Sequence, residues 1–177
     1  MLFTGQVASA CGAASAAAGP FYCPGDQKLY IDLGFLNQLA IEFGAPGEFA
    51  RAHVLAHEVG HHLQNLLGIT EKSAPLSARQ GAAGAKQVSV IVELPADCYA
   101  GVWAMQAQRV LEPGELQQAL QAAGVVGDNT LQRRAQGRVV PDPFTHGTAQ
   151  QRQRWFQRGF EGGRLASCDT FAAGPPL

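Results

Sequence analysis

One pentapeptide constrains this chain more than any other feature, and it reads His57-Glu58-Val59-Gly60-His61. Two residues four apart on an α-helix lie one turn apart on the same face, so His57 and His61 could both reach one zinc ion at about 2.0–2.1 Å. Glu58 follows the first histidine directly, where its carboxylate can take a proton from a metal-bound water. The motif therefore predicts a helix that carries half of a catalytic zinc site.

The residues around the motif are typical of a helix of about eighteen residues. Glu48 would lie in its first turn, where the positive end of the helix dipole favours an acid, and Gly68 follows as a stop signal. Gly60 should cost about 1 kcal/mol relative to alanine, which suggests that another backbone or the metal site comes close there. The apolar spacing predicts one buried stripe of Val54, Leu55, Val59, Leu63 and Leu66. The alternative is a helix that merely carries histidines in its core.

Length and charge limit the classes of protein to consider. The 177 residues suffice for one domain with a sizeable core, and 46% hydrophobic residues fit a globular protein. A net charge of −1 argues against nucleic acid or an anionic membrane as the main partner. Basic residues cluster from Arg133 onward, several alternating with glutamine, which favours a solvated helix face. No apolar run approaches the eighteen residues of a membrane span, and residues 8–19 lack the basic start and apolar centre of a signal peptide.

The four cysteines permit two disulfides, and none has the C-x-x-C spacing of a structural zinc site. Cys11 and Cys23 bracket a short loop rich in Ala, Gly and Pro, where a disulfide would stabilise the fold by about 3 kcal/mol in the chain-entropy model. This pairing would leave Cys98 for Cys168. Two disulfides would imply an oxidising compartment, whereas the alternative is four buried thiols in a cytosolic protein.

The remaining pattern predicts an α+β, mainly helical fold with a small N-terminal sheet. One domain would span 1–177, with strands in 1–33, a helical core in 34–108, and C-terminal helices and a tail in 109–177. We expect strands at 2–7, 21–22 and 28–33, helices at 34–43, 87–108, 112–124, 128–137 and 148–161, and loops at 70–84 and 139–147. Pro95 argues against a continuous helix at 87–108, since proline removes a helical hydrogen bond, and it could instead mark a helix start.

A catalytic zinc usually has three protein ligands and an open position for water, so the chain must supply a third ligand. Glu93 and Asp97 are the only acids in residues 72–110 and would point the same way on a helix. Glu93 would bind the metal, and Asp97 would accept the free ring N–H of His57 or His61. The alternative is a surface pair of acids in salt bridges, but the neighbouring residues are apolar or amphipathic.

Four segments together resemble the putative neutral zinc metallopeptidases of bacteria, and they are 19–24, 57–62, 93–101 and 144–148. The similarity extends over nearly the whole chain, with Pro95 as one departure. It implies a compact zincin-type domain with Zn²⁺ and the third-ligand glutamate of the gluzincin group. Members usually carry an N-terminal membrane-spanning segment before this domain. The resemblance therefore implies a periplasmic or cell-surface location, with membrane contact only through such a segment.

Other residues are weaker candidates for a role in the site. His146 would lie in a loop, and zincin proteases often place a His or Tyr donor where it steadies the developing oxyanion. Its alternative is a structural contact before the last helix, and Tyr99 and Tyr30 are further candidates for the same task. His62 is turned about 100° from the preceding motif histidine, which favours a hydrogen-bonded or core role. His53 would pack or face solvent.

The sequence thus predicts a zinc metalloendopeptidase that cleaves a peptide or protein substrate with a metal-activated water. Glu58 would serve as the general base and then protonate the leaving amine. The strand at 28–32 could offer an edge along which an extended peptide binds. Two alternatives remain, a zinc-stabilised, catalytically vestigial protein-binding domain and a hydrolase of a non-peptide amide. An exposed apolar patch away from the metal would favour the former, and an open cleft at the metal would favour an enzyme.

Overall fold

The computed structural model describes residues 1–15, 19–41, 47–79, 81–125, 127 and 145–170. These residues form an α+β, mainly helical fold, which confirms the predicted fold class. The strands are β1 (Leu2–Phe3), β2 (Gln6–Ser9), β3 (Gly12–Ser15), β4 (Phe21–Cys23) and β5 (Lys28–Asp32). The helices are α1 (Leu33–Ile41), α2 (Glu48–Leu66), α3 (Ile69–Arg79), α4 (Gly81–Ala107), α5 (Glu115–Val125) and α6 (Ala149–Gly162), and a 3₁₀ turn follows at Leu165–Cys168.

Some predictions fall on residues that the structure does not describe. They are the helix at 128–137, residues 139–144 of the predicted loop, and the last two residues of the helix at 34–43. The helix predicted from Thr148 is confirmed as α6. Its Thr148 side chain accepts from the Gln151 backbone N–H, and the Gln151 side chain accepts from the Thr148 backbone in return.

The N-terminal strands form a three-stranded sheet and a separate hairpin. The predicted strand at 2–7 is divided into β1 and β2, because the chain bends at Thr4 and Gly5. The sheet has the order β1-β5-β4, with β1 parallel and β4 antiparallel to β5. The prediction that the strand at 28–32 offers a free edge is therefore wrong, since both of its sides are paired. Within the described residues, β4 is the edge strand that faces the helices, and it packs against α2.

The motif helix has its predicted extent as α2, but the predicted buried stripe is wrong at three of its five positions. Val54 is buried, whereas Leu55, Val59 and Leu66 are 39%, 44% and 61% exposed. Successive residues on a helix are turned by about 100°, so the side that carries His57 is opposite the side that carries Val59. On the side that faces inward, His57 and Gln64 find hydrogen-bond partners on α4, in the Asp97 carboxylate and the Val92 carbonyl.

The central helix α4 crosses α2 at very short distance. A Cβ atom on Gly60 would lie 2.9 Å from the Cα of Ala96, which is closer than side-chain atoms normally approach a backbone. This contact confirms the prediction that another backbone passes Gly60. By length and hydropathy alone, Gly84–Ala107 could span a membrane, contrary to the expectation from the sequence, but 61% of its most apolar window is buried. The same helix carries Glu93 and Asp97, which supports its assignment as the core helix of this fold.

The predicted loop at 70–84 is wrong, because α3 and the start of α4 occupy this segment. Gly81, the first residue of α4, has a positive φ of 65°. Small and polar residues gave a loop-like composition, but α3 packs along α4 and this tertiary contact overrides the weak local preference.

Pro95 lies inside α4, so the alternative that it starts a helix is wrong. In a regular helix the N–H of residue 95 would donate to the carbonyl of Ile91, and proline has no N–H. The buried hydroxyl of Thr170 donates to that carbonyl instead, at 2.9 Å. Thr170 follows Cys168, which forms a disulfide with Cys98 on α4. The C-terminal segment therefore supplies the hydrogen bond that proline removes beside Glu93.

Candidate metal centre

Three side chains from two helices converge on one point. The Nε2 atoms of His57 and His61 on α2 lie 3.1 Å apart. The carboxylate of Glu93 on α4 approaches both, with Oε2 at 3.2 Å from Nε2 of His57 and Oε1 at 3.5 Å from Nε2 of His61. The structure thus brings together the three residues that the sequence predicts as ligands, in an arrangement that could hold a metal ion.

The spacing of these donor atoms fits zinc. Ligand atoms bound at about 2.0–2.1 Å in tetrahedral directions lie roughly 3.3–3.4 Å from one another. The two nitrogens are 3.1 Å apart, and the nitrogen–oxygen distances of 3.2 Å to Oε2 and 3.5 Å to Oε1 are close to that value. Two imidazole nitrogens and one carboxylate oxygen are also a set of donors that zinc commonly accepts. Among the described residues, no hydrogen bond satisfies the buried Oε2 atom of Glu93, so a cation would complete its environment.

The hydrogen bond at Nδ1 of His57 determines which nitrogen of its ring can bind a metal. Its Nδ1 lies 2.9 Å from Oδ1 of Asp97, a carboxylate that can only accept a hydrogen bond when ionised. His57 therefore donates from Nδ1, which in the neutral ring leaves the lone pair on Nε2 toward Glu93. The structure places Asp97 against His57 and not His61, which were the two partners that the sequence left open.

Gln64, which was not among the predicted site residues, fixes the tautomer of His61 in the same way. The Gln64 side-chain amide donates to the backbone carbonyl of Val92, so its oxygen faces Nδ1 of His61 at 2.9 Å. A carbonyl oxygen requires a donor, so His61 carries its proton on Nδ1 and also leaves Nε2 free. The signal was available, since Gln64 follows His61 by three residues and lies on the same side of α2.

The charged groups of the cluster shift one another's pKa values. Burial opposes the charged form of His57, but Asp97 outweighs it and raises the pKa of His57 to about 10. Burial also opposes the charge on Glu93, yet His61 and His57 hold the pKa of its carboxyl well below the usual range. Burial raises the pKa of Glu58, with the two motif histidines acting in the opposite direction. This shift moves the pKa of Glu58 toward neutral pH, where a group can both take up and return a proton.

An open cleft of about 320 Å³ reaches this cluster. One wall comes from the N-terminal segment, with Phe21 and Tyr22 of β4. His57, Glu58, His61 and Glu93 lie on the other side, and His146 also lines the cleft. The 320 Å³ space is at the low end of the range for sites that enclose a small molecule or a few residues of a peptide.

The three proposed donors to an oxyanion have different fates. His146 lines the cleft, with Nδ1 at 3.0 Å from the hydroxyl of Thr145. Tyr99 lines an apolar groove away from the cleft, and the hydroxyl of Tyr30 donates to Asp26 in the N-terminal segment. The structure therefore brings His146 to the site and does not bring the two tyrosines there.

Tyr22 was also not among the predicted site residues, and it lines the cleft from β4. Its hydroxyl accepts from the side-chain amide of Asn65 at 3.1 Å and lies 3.0 Å from Nδ1 of His62. His62 thus has the hydrogen-bonded role predicted for it. His53 has the predicted packing role, since it is 1% exposed and meets the edge of the Phe156 ring. Burial lowers the pKa of His53 to about 3, so its ring is neutral near pH 7.

The prediction of a solvated basic face is wrong for Arg152. This residue is buried on α6 and donates to both carboxylate oxygens of Asp97 at 2.8 Å. Its neighbours Arg154 and Arg158 are exposed, as predicted. The sequence carries a signal for the difference, because Arg152 precedes Trp155, Phe156 and Gly159 by three, four and seven residues, and all of these are buried.

Both predicted disulfides form. Cys11 pairs with Cys23 at the end of β4, and Cys98 pairs with Cys168. The first links the N-terminal hairpin to the cleft wall, and the second begins at the residue after Asp97. No free cysteine remains, and this pairing favours an oxidising, extracytoplasmic environment over four buried thiols in a cytosolic protein.

Fold and site together define a helical domain with a candidate H-E-x-x-H metal centre completed by a glutamate from a second helix. A family model described as putative neutral zinc metallopeptidase matches residues 1–171, and the chain belongs to this family.

Several bacterial proteins are similar to this chain. The uncharacterized protein YpfJ of Escherichia coli strain K12 is 51% identical over 173 residues, which cover 97% of this chain and 60% of that protein. The uncharacterized proteins Mb2605 of Mycobacterium bovis and Rv2575 of Mycobacterium tuberculosis are 48% identical over 185 residues, which cover 97% of this chain and 61% of each relative. The chain therefore spans about three fifths of the length of these relatives. No solved structure matches it.

Proposed function

We propose that this protein is a zinc-dependent endopeptidase that hydrolyses peptide bonds in the cleft at the metal centre. One observation carries the proposal. The Nε2 atoms of His57 and His61 and the carboxylate of Glu93 meet at an open cleft, and Glu58 lines the same cleft. A purely structural zinc site is normally closed by four protein ligands, whereas three ligands beside a cleft leave a position for chemistry.

Each polar residue of the cleft has its own role in hydrolysis. A bound zinc ion would supply Lewis acidity to the substrate carbonyl and the water. The carboxylate of Glu58 takes one proton from the attacking water as the new C–O bond forms at the carbonyl carbon. Glu58 then gives this proton to the amide nitrogen, and the C–N bond breaks to leave a carboxylic acid and an amine. His146 donates to the carbonyl oxygen as negative charge develops there.

The wall of the cleft supports a peptide as the substrate. β4 is an edge strand within the described residues, and its Phe21 and Tyr22 line the cleft. An extended peptide can pair with the backbone of an edge strand and present its carbonyl groups at regular intervals. The hydrogen bonds that hold Tyr22 to Asn65 and His62 would keep this wall in place beside α2.

We also place this activity outside the cytoplasm, in the periplasm or at the cell surface. The two disulfides support an oxidising location. Attachment to the membrane through an N-terminal segment is proposed from the family resemblance.

A second candidate function is supported by an apolar groove of about 480 Å³ on the far side of α2. Its walls include Leu55 and Val59 of α2, Trp103 of α4 and Leu165. An exposed apolar surface of this kind is typical of a protein-binding domain. On this alternative the zinc would stabilise the fold, and the chain would not cleave peptides.

Substitution of Glu58 by glutamine tests the proposal against this alternative. Glu58→Gln keeps the shape of the side chain but cannot take up the proton, so we expect turnover to fall at least about 100-fold while zinc remains bound. The measurement is digestion of a peptide library by the zinc-loaded protein, with and without a chelator, alongside metal analysis. Gln106→Glu on the exposed surface of α4 is the control and should cleave like the wild type.

Three results would count against an endopeptidase. Equal cleavage by Glu58→Gln and wild type would show that the assigned base is wrong. Cleavage that survives the chelator would exclude zinc from the reaction. A zinc-loaded wild type that cleaves no peptide but hydrolyses small amides would favour the non-peptide hydrolase, and one that hydrolyses neither would favour the binding domain.

A further inference from the structure

A buried arginine on α6 reaches the metal centre through one carboxylate. Arg152 is 4% exposed, and its Nε and Nη2 atoms donate to Oδ2 and Oδ1 of Asp97, both at 2.8 Å. Asp97 is completely buried, and its Oδ1 also accepts from Nδ1 of His57 at 2.9 Å. Two donors, one from α2 and one from α6, therefore meet on the same oxygen of a residue on α4.

The forked contact restricts Asp97 in a way that a single hydrogen bond would not. A carboxylate held by two parallel N–H donors cannot rotate about its terminal bond without losing one of them. Its Oδ1 is therefore held in one position, and the His57 ring that donates to it is fixed in orientation and tautomer. Nη2 of Arg152 also lies 3.2 Å from Nδ1 of His57, so the fork leaves little room for the ring to turn.

The position of Arg152 is itself set by close packing between α6 and α4. A Cβ atom on Gly159 would overlap the carbonyl oxygen of Cys98, so the two backbones touch at the residue after Asp97. Phe156, one turn from Arg152 on the same face, is buried in the core with Ala100. Thr148 fixes the start of the helix one turn before Arg152. Arg152 is thus anchored on both sides along α6.

From these contacts we propose that Arg152 is a positioning residue of the metal centre, which sets the orientation of His57 through Asp97 and so raises the affinity for zinc. The inference rests on the metal site of the proposed function but does not require peptide cleavage. It makes the C-terminal helix α6 part of the zinc site, although α6 contributes no ligand.

Zinc affinity of the full chain tests this proposal, measured by competition with a chromophoric chelator. Loss of a partner that orients a metal ligand typically lowers affinity by about 10–100-fold. We expect Arg152→Met to fall in this range and Arg152→Lys, which keeps the charge but not the fork, to show a smaller loss. The matched control is Arg154→Met on the exposed side of the same helix, which should bind zinc within about two-fold of the wild type.

A second background separates positioning from general damage to the fold. Removing one member of a buried ion pair strongly destabilises a protein, so Arg152→Met could fail to fold by itself. We therefore compare Asp97→Ala with the double variant Asp97→Ala/Arg152→Met, in which no lone charge remains. If Arg152 acts through Asp97, removing it in this background should change zinc affinity by less than about three-fold. Cobalt-loaded Arg152→Lys should also show an altered visible spectrum, which reports on the geometry of the ligands.

The proposal is overturned if a folded Arg152→Met or Arg152→Lys variant binds zinc like the wild type. It is also overturned if loss of Arg152 costs the same affinity with and without Asp97, since the arginine would then act through the fold in general. A wild type that binds no zinc contradicts this proposal and the metal site together. A wild type that binds zinc but cleaves no peptide contradicts only the proposed function.

Discussion

The two sides of α2 are used in opposite ways. The side toward α4 buries four polar side chains to 6% exposure or less, and they are His53, His57, Glu58 and Gln64. The other side leaves three apolar side chains at least 39% exposed, and they are Leu55, Val59 and Leu66. Burial in this helix therefore does not follow hydrophobicity alone, since His57 and Gln64 have hydrogen-bond partners on α4 and His53 packs against Phe156. Buried polar groups are tolerated where partners are provided, as Asp97 and Val92 do here.

The largest effect on stability should come from the inner side of α2, which is the side that faces α4, at the point where the two helices cross. The Cβ of any side chain at Gly60 would meet the backbone of Ala96, which cannot move away as a flexible side chain could. We expect Gly60→Val to lower the free energy of unfolding by about 3 kcal/mol, at the upper end of the usual cost of overpacking. Chemical denaturation of the two proteins measures this cost. A loss below about 0.5 kcal/mol would show that the two helices are not in backbone contact.

A polar-to-apolar change on the inner side should weaken the metal centre. Gln64→Leu keeps the approximate volume of the side chain but removes the acceptor for Nδ1 of His61, so the ring is no longer fixed with Nε2 toward the metal. We expect zinc affinity to fall about 10–100-fold. Gln106→Leu, at an exposed position of α4, is the control and should leave affinity unchanged. Equal zinc affinity in both variants would remove Gln64 from the site.

The smallest effect should come from an apolar-to-polar change on the outer side. Val59 is 44% exposed and lies between two residues of the motif, but it points into the apolar groove. We expect Val59→Ser to change the free energy of unfolding by no more than about 0.5 kcal/mol and to leave zinc affinity unchanged. Thermal unfolding with and without zinc provides the test. A loss of 2 kcal/mol or more would mean that the groove is a true part of the core, and the contrast between the two sides would fail.

The sequence was sufficient where function depends on local spacing. The motif helix was predicted from two histidines four residues apart. The same spacing predicted that Glu93 and Asp97 point to the same side of their helix, and Gly60 already indicated a close contact. Sequence reasoning failed where the answer depends on which element packs nearby. Whether Arg152 is solvated is decided by its contact with Asp97, a residue 55 positions away.

The same limit explains the errors in the fold. The segment 70–84 has a loop-like composition, but residues 70–79 are helical and pack along α4. Pro95 is tolerated inside a helix because Thr170, far along the chain, donates to the carbonyl that proline leaves free. β5 could not be recognised as a central strand, since its pairing with β1 joins residues 29 positions apart. In each case a partner distant in sequence determines the outcome.

Anomalous diffraction at the zinc edge, from crystals of the chain grown with zinc, tests the central claim most directly. The account predicts one anomalous peak per chain, within about 2.0–2.2 Å of Nε2 of His57, Nε2 of His61 and a carboxylate oxygen of Glu93. A peak that lacks Glu93 among its ligands, or the absence of a peak between the two imidazole rings, would contradict it.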